Sequence, residues 1–233
     1  MVELMEHKGS RETYDYISNW ANTRFPFSLS DGWDRFGILG VLGDVALLVC
    51  KEAHILEIGV GESSIYLTEL ARRHKRKIFH CDISEGKIVN PMTISGYLHE
   101  NRILVKENLV TSEYKNYDAV LFHGTSDKFF AQLEIPKIGI AFIEGDHTAF
   151  QVRKDFENVF KLLDNNGIIF LHDMSAYEES LVLNDYCSDS YKVREELEKR
   201  TDIDCFTFPK LLACNVGITM CRKKSKERFY FQA

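Results

Sequence analysis

Residues His54 to Tyr66 read HILEIGVGESSIY, and this segment is the strongest indication of how the chain folds. A short apolar run surrounds a single acid, Glu57, and then passes into two closely spaced glycines, Gly59 and Gly61. Such a run, followed by a helical pattern, is typical of a buried parallel strand that turns into a helix. The glycines permit a tight turn and let a ligand approach the bare backbone, while the helix N-terminus offers N–H groups to it.

The glycine turn has more than one interpretation. Gly59 and Gly61 could serve packing alone, as glycines do in many strand-to-helix turns. The dinucleotide-binding fingerprint would require a third glycine at position 64, where this chain has Ser64. That fingerprint also rarely carries an acid two residues before its first glycine, whereas Glu57 stands there.

A second acid supports a nucleotide site. Asp82 ends the next apolar run, Lys77–Asp82, and lies 21 residues after Gly61. An acid at the tip of the second strand can accept hydrogen bonds from both hydroxyls of a ribose. Together with the motif at Glu57, Asp82 therefore predicts a ligand that contains a ribose.

The rest of the chain alternates strand-like and helix-like segments. The predicted strands include Lys77–Asp82, Tyr117–Phe122, Ile138–His147, Ile168–Leu171, Asp204–Phe208 and Val216–Cys221, and the predicted helices are Gly37–Cys50, Ser63–His74, Phe150–Leu163 and Tyr191–Arg200. This order predicts an α/β fold: a doubly wound, mostly parallel seven-stranded sheet with an antiparallel pair at its edge, covered by an N-terminal helical segment. The site is expected above the strand ends.

Several local features are harder to assign. Glu85-Gly86 and Asn90-Pro91 are turn signals, and Ile103–Val105 is a candidate short strand. Gly167 follows two asparagines, and we expect it to end the preceding helix as a left-handed cap. We expect an N-terminal helical cap over residues 1–50, with a helix near Trp20, a catalytic domain over 51–222 and a basic, aromatic tail over 223–233.

Two pairs of polar residues end neighbouring predicted strands: Asp146-His147 and His172-Asp173. Adjacent parallel strands lie about 4.8 Å apart, so these four side chains can converge. Asp146 and Asp173 could bind Mg²⁺ and lower the pKa of a substrate hydroxyl. Alternatively, His147 or His172 could act as a general base. A structural alternative is that Asp146 caps the helix that begins near Phe150.

Three segments together resemble the class I S-adenosylmethionine-dependent methyltransferases: EIGVG at 57–61, FIEGDH at 142–147 and NNGIIFLHD at 165–173. The resemblance covers roughly residues 54–175 and implies a Rossmann-like methyltransferase fold. The similar branch includes macrocin-type sugar O-methyltransferases and cephalosporin-hydroxylase-like proteins. His172 departs from that branch, in which several metal-binding members have an acid or an amide.

The resemblance also implies roles for individual residues. The methionine pocket would be shaped by Glu57, Gly59, Gly61 and Ser63, the ribose held by Asp82, and the adenine bordered by Gly124 and Ser126, with Glu144 also in the cofactor site. The implied metal ligands are Asp146 and Asp173. His147 is the best candidate base and His172 the second candidate.

The implied reaction is methyl transfer from S-adenosylmethionine, with Mg²⁺ as an optional cofactor, to oxygen on a small molecule such as a sugar or a natural product. Two other functions stay open at this stage. The chain could be a non-catalytic, methyltransferase-like partner subunit, or a nicotinamide oxidoreductase on the same doubly wound plan.

Composition narrows the class of partner. A net charge of −6 and a pI near 5.8 argue against binding of nucleic acid through its phosphates. The six cysteines form no CxxC pair and no zinc spacing, which favours a reducing compartment. We see no apolar signal core and no apolar run long enough for a bilayer, so we expect a cytoplasmic protein without a membrane partner. A homo-oligomer is left open.

Overall fold

The computed structural model describes residues 36–89, 91, 102–108, 118–174, 189–208 and 217–224. The predicted helix near Trp20 and the tail from residue 225 onward lie outside the described residues. The division into segments 1–50, 51–222 and 223–233 therefore remains a prediction.

The described strands form one eight-stranded sheet in the order β3-β4-β2-β1-β5-β6-β8-β7. The strands are β1 His54–Ile58, β2 Ile78–Asp82, β3 Arg102–Lys106, β4 Ala119–His123, β5 Ile138–Ile143, β6 Leu163–His172, β7 Ile203–Phe208 and β8 Ile218–Lys223. The pairs from β3 to β6 are parallel, whereas β8 pairs antiparallel with both β6 and β7. The predicted doubly wound, mostly parallel sheet with an antiparallel edge pair is confirmed.

The sheet has one strand more than the seven that we predicted. The additional strand, β3, lies at the edge of the sheet formed by the described strands and pairs there with β4, with Ile103 opposite Val120. It contains the candidate short strand Ile103–Val105. Only Val105 of β3 is buried, so the segment lacks the continuous apolar run that marks the central strands.

The described part of the chain contains six helices beside the sheet: α1 Gly37–Val49, α2 Ser63–His74, α3 Glu85–Val89, α4 Ser126–Gln132, α5 Ala149–Leu162 and α6 Tyr191–Leu197. The bounds predicted for α2 are confirmed. Its last turn carries Arg72, Arg73 and His74, whose cations complement the helix dipole, and Lys75 ends it in the left-handed conformation. Glu85-Gly86, which we took as a turn signal, begins the short helix α3.

The prediction for Gly167 is wrong. Helix α5 ends at Leu162, the next residue is already extended, and β6 runs on through Gly167 to His172. A Cβ atom at Gly167 would lie 2.9 Å from the backbone oxygen of Ile138 in β5. The glycine is needed because two strands approach closely there, where the β5–β6 register also shifts, and not because a helix ends.

Apolar cores lie on both faces of the sheet. In β1, Ile55 packs in a cluster with Leu39 of α1 and Leu67 of α2, whereas its neighbour Leu56 joins a cluster with Phe156 of α5. This alternation follows from the two-residue period of a strand. Burial on both faces explains why the central strands read as unbroken apolar runs.

The topology fixes where a ligand can bind. Strand β1 lies between β2 and β5, so the chain leaves it on one side and later returns on the other. A crevice opens at such a point, outside the carboxyl ends of the strands. None of the helices in the described ranges combines the length and the apolar character that crossing a membrane would require.

Candidate active site

A cavity of about 670 Å³ opens above the carboxyl ends of β1, β2, β4 and β5. Its walls come mainly from the loops that follow these strands. Eight of the predicted site residues line it: Gly59, Gly61, Asp82, Gly124, Ser126, Glu144, Asp146 and His147. The other four, Glu57, Ser63, His172 and Asp173, are buried and lie behind its wall.

The two glycines of the turn meet different constraints. Gly59 has a φ of 83°, and a Cβ atom there would lie 2.1 Å from the backbone oxygen of Glu144. Only glycine fits that position. A Cβ atom at Gly61 would have no atom within 4 Å, so it would project into open space. Gly61 therefore exposes bare backbone to whatever occupies the cavity.

Glu57 supports the glycine turn from beneath and does not line the cavity. Its carboxylate accepts hydrogen bonds from the Ser63 hydroxyl at 2.6 Å and from the Ser64 hydroxyl at 2.7 Å. The third partner is Nδ1 of His80, 2.6 Å away. All four side chains are fully buried. Glu57 and Ser63 can therefore act on a ligand only through the loop that they hold.

Asp82 stands at the tip of β2 and joins two loops. Its Oδ2 accepts the backbone N–H of Val60 at 2.8 Å, and its Oδ1 accepts the backbone N–H of Ser84 at 2.6 Å. A carboxylate oxygen has two lone pairs, so each oxygen can still accept one hydrogen bond from a ligand in the cavity.

A polar group lies at the β4 end of the cavity. Nε2 of Gln151 contacts Oγ of Ser126 at 3.0 Å, Oδ1 of Asp127 at 3.3 Å and Oδ1 of Asp155 at 3.0 Å. Burial raises the pKa of Asp155 to about 6, although hydrogen bonds from Ser126 and Gln151 oppose that rise. Thr125 caps α4 by accepting the backbone N–H of Lys128.

His147 and Asp173 form a pair at the other end. Nδ1 of His147 lies 2.7 Å from Oδ2 of Asp173, and the imidazole is half-buried with 34% of its side chain exposed. The Asp173 carboxylate raises the pKa of His147, and Glu144 adds to this effect, while burial opposes it. Asp173 has a φ of 59°, and the Ser190 hydroxyl donates to its backbone oxygen at 2.8 Å.

The structure separates the two predicted histidines. His172 is buried, and its Nδ1 lies 2.8 Å from Oε1 of Glu144 and 3.0 Å from Oδ1 of Asp173. The ring also packs against Phe36 and Phe142, with centroids 5.5 Å and 6.2 Å away. His172 does not line the cavity, so these contacts favour a role in positioning Asp173 over a role as base.

The residues do not fit the predicted magnesium site. Both oxygens of Asp173 face imidazole nitrogens, whereas Asp146 lines the cavity and accepts the backbone N–H of Thr148 at 2.7 Å. Within the described ranges, no group of three or more His, Cys, Asp or Glu side chains is arranged to hold a metal ion. The helix cap that we considered for Asp146 is also wrong, because Thr148 caps α5.

Some cavity residues were not found by sequence reasoning: Phe36, Glu62, Lys87, Thr125, Asp127 and Gln151. Thr125 and Asp127 immediately surround Ser126, so the turn after β4 was a usable signal. Gln151 lies in the first turn of α5, three residues after its N-cap. Its position in the sequence gives no signal that it lines the cavity.

The sequence matches a family model described as a methyltransferase domain, over residues 56–174. Comparison with curated protein sequences gives no match. Among solved structures, the methyltransferase PaMTH1 of Podospora anserina, bound to S-adenosylhomocysteine (SAH), is similar with 19% identity and a TM-score of 0.55 over 91% of this chain and 88% of that chain.

Two further structures have the same fold. The O-methyltransferase of Bacillus cereus in complex with SAH has 16% identity and a TM-score of 0.53, over 91% of both chains. MycE, a methyltransferase of the mycinamycin biosynthetic pathway in complex with Mg and SAH, has 15% identity and a TM-score of 0.54, over 92% of this chain and 56% of that chain. The match spans half of the sequence and the fold agrees with it, so the chain belongs to the methyltransferase-domain family, as its resemblance to class I S-adenosylmethionine-dependent methyltransferases predicted.

Proposed function

We propose that the protein is an S-adenosylmethionine-dependent methyltransferase that methylates a hydroxyl oxygen of a small molecule. The observation that carries the proposal is the bare backbone at Gly61, open to a cavity that Asp82 also lines, in a chain of this family. The SAH-bound structures of similar fold support the same cofactor.

The cavity suits the three parts of that cofactor. The methionine part lies at the Gly59–Gly61 turn, where no side chain blocks the backbone. The ribose hydroxyls donate to the remaining lone pairs of Asp82. The adenine lies between Ile83, an apolar side chain that is 75% exposed beside the cavity, and the polar turn at Gly124 and Ser126.

When bound, S-adenosylmethionine supplies a methyl group on a positively charged sulfur. The chain has to orient the acceptor hydroxyl in line with that methyl group and remove its proton. His147 lines the cavity, and its Nδ1 lies 2.7 Å from Oδ2 of Asp173, at ion-pair distance but without the alignment of a hydrogen bond. Its Nε2, the ring nitrogen turned away from Asp173, takes the acceptor proton as the new O–C bond forms and the bond between the methyl carbon and sulfur breaks, which leaves SAH.

Asp173 is a positioning residue in this mechanism. Its carboxylate lies at ion-pair distance from His147 and stabilises the imidazolium that forms when the proton arrives. His172 contacts the other oxygen of Asp173, so it holds the carboxylate in place from behind. Because the residues do not fit a metal site, none of these steps is assigned to Mg²⁺.

The test is a methyl-transfer screen. The purified protein is incubated with S-adenosylmethionine labelled in its methyl group and with a panel of hydroxylated small molecules, including free sugars, glycosides and phenols. We expect label in at least one acceptor, attached through an acid-stable ether. Cofactor binding without transfer to any acceptor would favour the non-catalytic partner subunit instead.

A further inference from the structure

His80 contributes a contact to the glycine turn that the proposed mechanism has not used. It lies in the middle of β2, directly opposite Glu57 of β1 in the parallel register. Nδ1 of His80 is 2.6 Å from Oε2 of Glu57, and both side chains are fully buried. The pair therefore lies in the sheet itself, beneath the cavity and out of contact with solvent.

The Glu57 carboxylate connects three elements. The strand β1 supplies the acid, the first turn of α2 supplies Ser63 and Ser64, and β2 supplies His80. The serine hydroxyls donate to the carboxylate, and His80 completes the set as an N–H donor, since a carboxylate can only accept. The turn from Gly59 to Gly61 lies between Glu57 and Ser63, so one carboxylate ties both of its ends.

The histidine carries a cost that an apolar residue would not. Within the described part of the chain, Nε2 of His80 is buried and has no hydrogen-bond partner. A buried polar atom without a partner loses its hydration with no compensation. The neighbours of His80 in β2, Phe79 and Cys81, are apolar and buried. The hydrogen bond at Nδ1 therefore has to offset the free energy that is lost by burying Nε2 without a partner.

We propose that His80 is a positioning residue for the cofactor loop: its Nδ1–H holds the Glu57 carboxylate in the orientation that fixes the Gly59–Gly61 turn for the cofactor. The inference rests on the proposed function, because it concerns the same cavity and the same ligand. His80 contacts no ligand itself and acts through Glu57 alone.

Two amide substitutions test whether the hydrogen bond to Glu57 matters, or only a polar side chain at position 80. In His80→Asn the side-chain NH₂ can take the place of Nδ1, whereas in His80→Gln it takes the place of Nε2 and points away from Glu57. Calorimetric titration with SAH should give an affinity close to that of the wild type for His80→Asn. For His80→Gln we expect binding about tenfold weaker, the effect of one lost hydrogen bond to a charged group.

Phe79→Leu is the matched control for general damage to β2. Phe79 is the neighbour of His80 in the strand, is fully buried and points to the other face of the sheet. The substitution should lower the melting temperature and leave the SAH affinity of the folded protein unchanged. If Phe79→Leu weakens binding as much as His80→Gln, the effect belongs to the strand as a whole and the proposal fails.

Wild-type affinity in His80→Gln would overturn this inference alone, whereas a wild-type protein that does not bind SAH would overturn the proposed function as well. If both amide variants fail to fold, NMR of the wild-type protein replaces them. Because coupling between two sites is reciprocal, SAH should slow the exchange of the His80 Nδ1 proton. An unchanged exchange rate at saturating SAH would overturn the proposal.

Discussion

The arrangement of the two histidines in the candidate site depends on a single residue, Asp173. It follows directly after β6 in the left-handed conformation, which is uncommon outside glycine, and its buried carboxylate lies between two imidazoles. A backbone conformation of this kind persists only where the surroundings fix it, and it is frequent at functional sites. The contacts of Asp173 make it a partner of His147.

Asp173→Asn tests that partnership. Asparagine tolerates the left-handed conformation as well as aspartate does, so the backbone should be preserved. The amide cannot stabilise the imidazolium of His147, and we expect kcat to fall by about 10²- to 10⁴-fold with the SAH dissociation constant unchanged. Steady-state kinetics with an acceptor from the methyl-transfer screen measure this. The control is Asp204→Asn on β7, a residue that forms an exposed ion pair with Arg222 of β8.

Asp155 gives a prediction for stability against pH. Its pKa is about 6 in the folded protein and near 3.8 when unfolded, so the folded state keeps the proton longer as the pH rises. Its contribution to stability is complete below about pH 3.8 and is lost as the pH rises through 6. Chemical denaturation should show Asp155→Asn more stable than the wild type at pH 7.5, by about 1–3 kcal/mol.

The difference between Asp155→Asn and the wild type should shrink towards zero as the pH is lowered to about 4, where both side chains are neutral. A constant difference between pH 4.5 and 7.5 would show that the charge of Asp155 is not its cause. In the variant, the asparagine carbonyl oxygen replaces one carboxylate oxygen, so Ser126 and Gln151 still have an acceptor for their hydrogen bonds.

At the scale of elements, the two glycines of the turn between β1 and α2 have different roles: Gly59 is required by the protein's own packing, and Gly61 leaves room for the ligand. A Cβ atom at position 59 meets the backbone of the β5 tip, whereas one at position 61 meets no protein atom within 4 Å. Gly59→Ala should lower the melting temperature by several degrees and also weaken SAH binding. Gly61→Ala should keep the wild-type melting temperature and weaken SAH binding about tenfold, because its methyl group occupies the space of the ligand.

Differential scanning calorimetry and SAH titration of the same two preparations check this pair. Equal losses of stability in the two variants would contradict the assignment of Gly61 to the ligand. So would an unchanged SAH affinity in Gly61→Ala.

Elements with a strong period could be predicted from sequence. Helix α5 has Val152, Phe156 and Val159 on one buried stripe, and its predicted bounds, Phe150–Leu163, lie within one residue of those observed. Strand β3 has one buried residue, so its pattern made Ile103–Val105 only a candidate strand, and the predicted count of seven left it out. At Gly167 two physical causes compete, a helix end and a close strand contact, and the sequence does not distinguish them.

For the candidate site, the sequence could predict where the backbone places each residue but not which side chains contact each other. Parallel strands place their tips at one edge, and Asp82, Gly124 and His147 accordingly line one cavity. The contacts between side chains could not be predicted, because the pairing of Asp173 with His147 depends on its backbone conformation after β6. The magnesium site was inferred from residue types alone, and the structure places protein groups against the carboxylates of both Asp146 and Asp173.

On the scale of the whole molecule, the proposed methyl transfer depends on a base that the protein itself supplies and not on a metal ion. Asp173 faces His147 and His172, so no described cluster of ligands is left for a divalent ion. Treatment with EDTA should therefore leave both SAH affinity and the rate of methyl transfer unchanged. Loss of transfer in EDTA that Mg²⁺ restores, with other divalent ions as controls, would show that a metal takes part.

The most direct measurement is calorimetric titration of the purified protein with SAH, carried out beside Asp82→Ala and the control Asp204→Ala. The wild type and Asp204→Ala should bind alike, and Asp82→Ala should bind about tenfold more weakly, a loss of about 1.4 kcal/mol, while remaining folded. Unchanged affinity in folded Asp82→Ala would remove Asp82 from the site. No binding by the folded wild type at millimolar SAH would contradict the cofactor site as a whole.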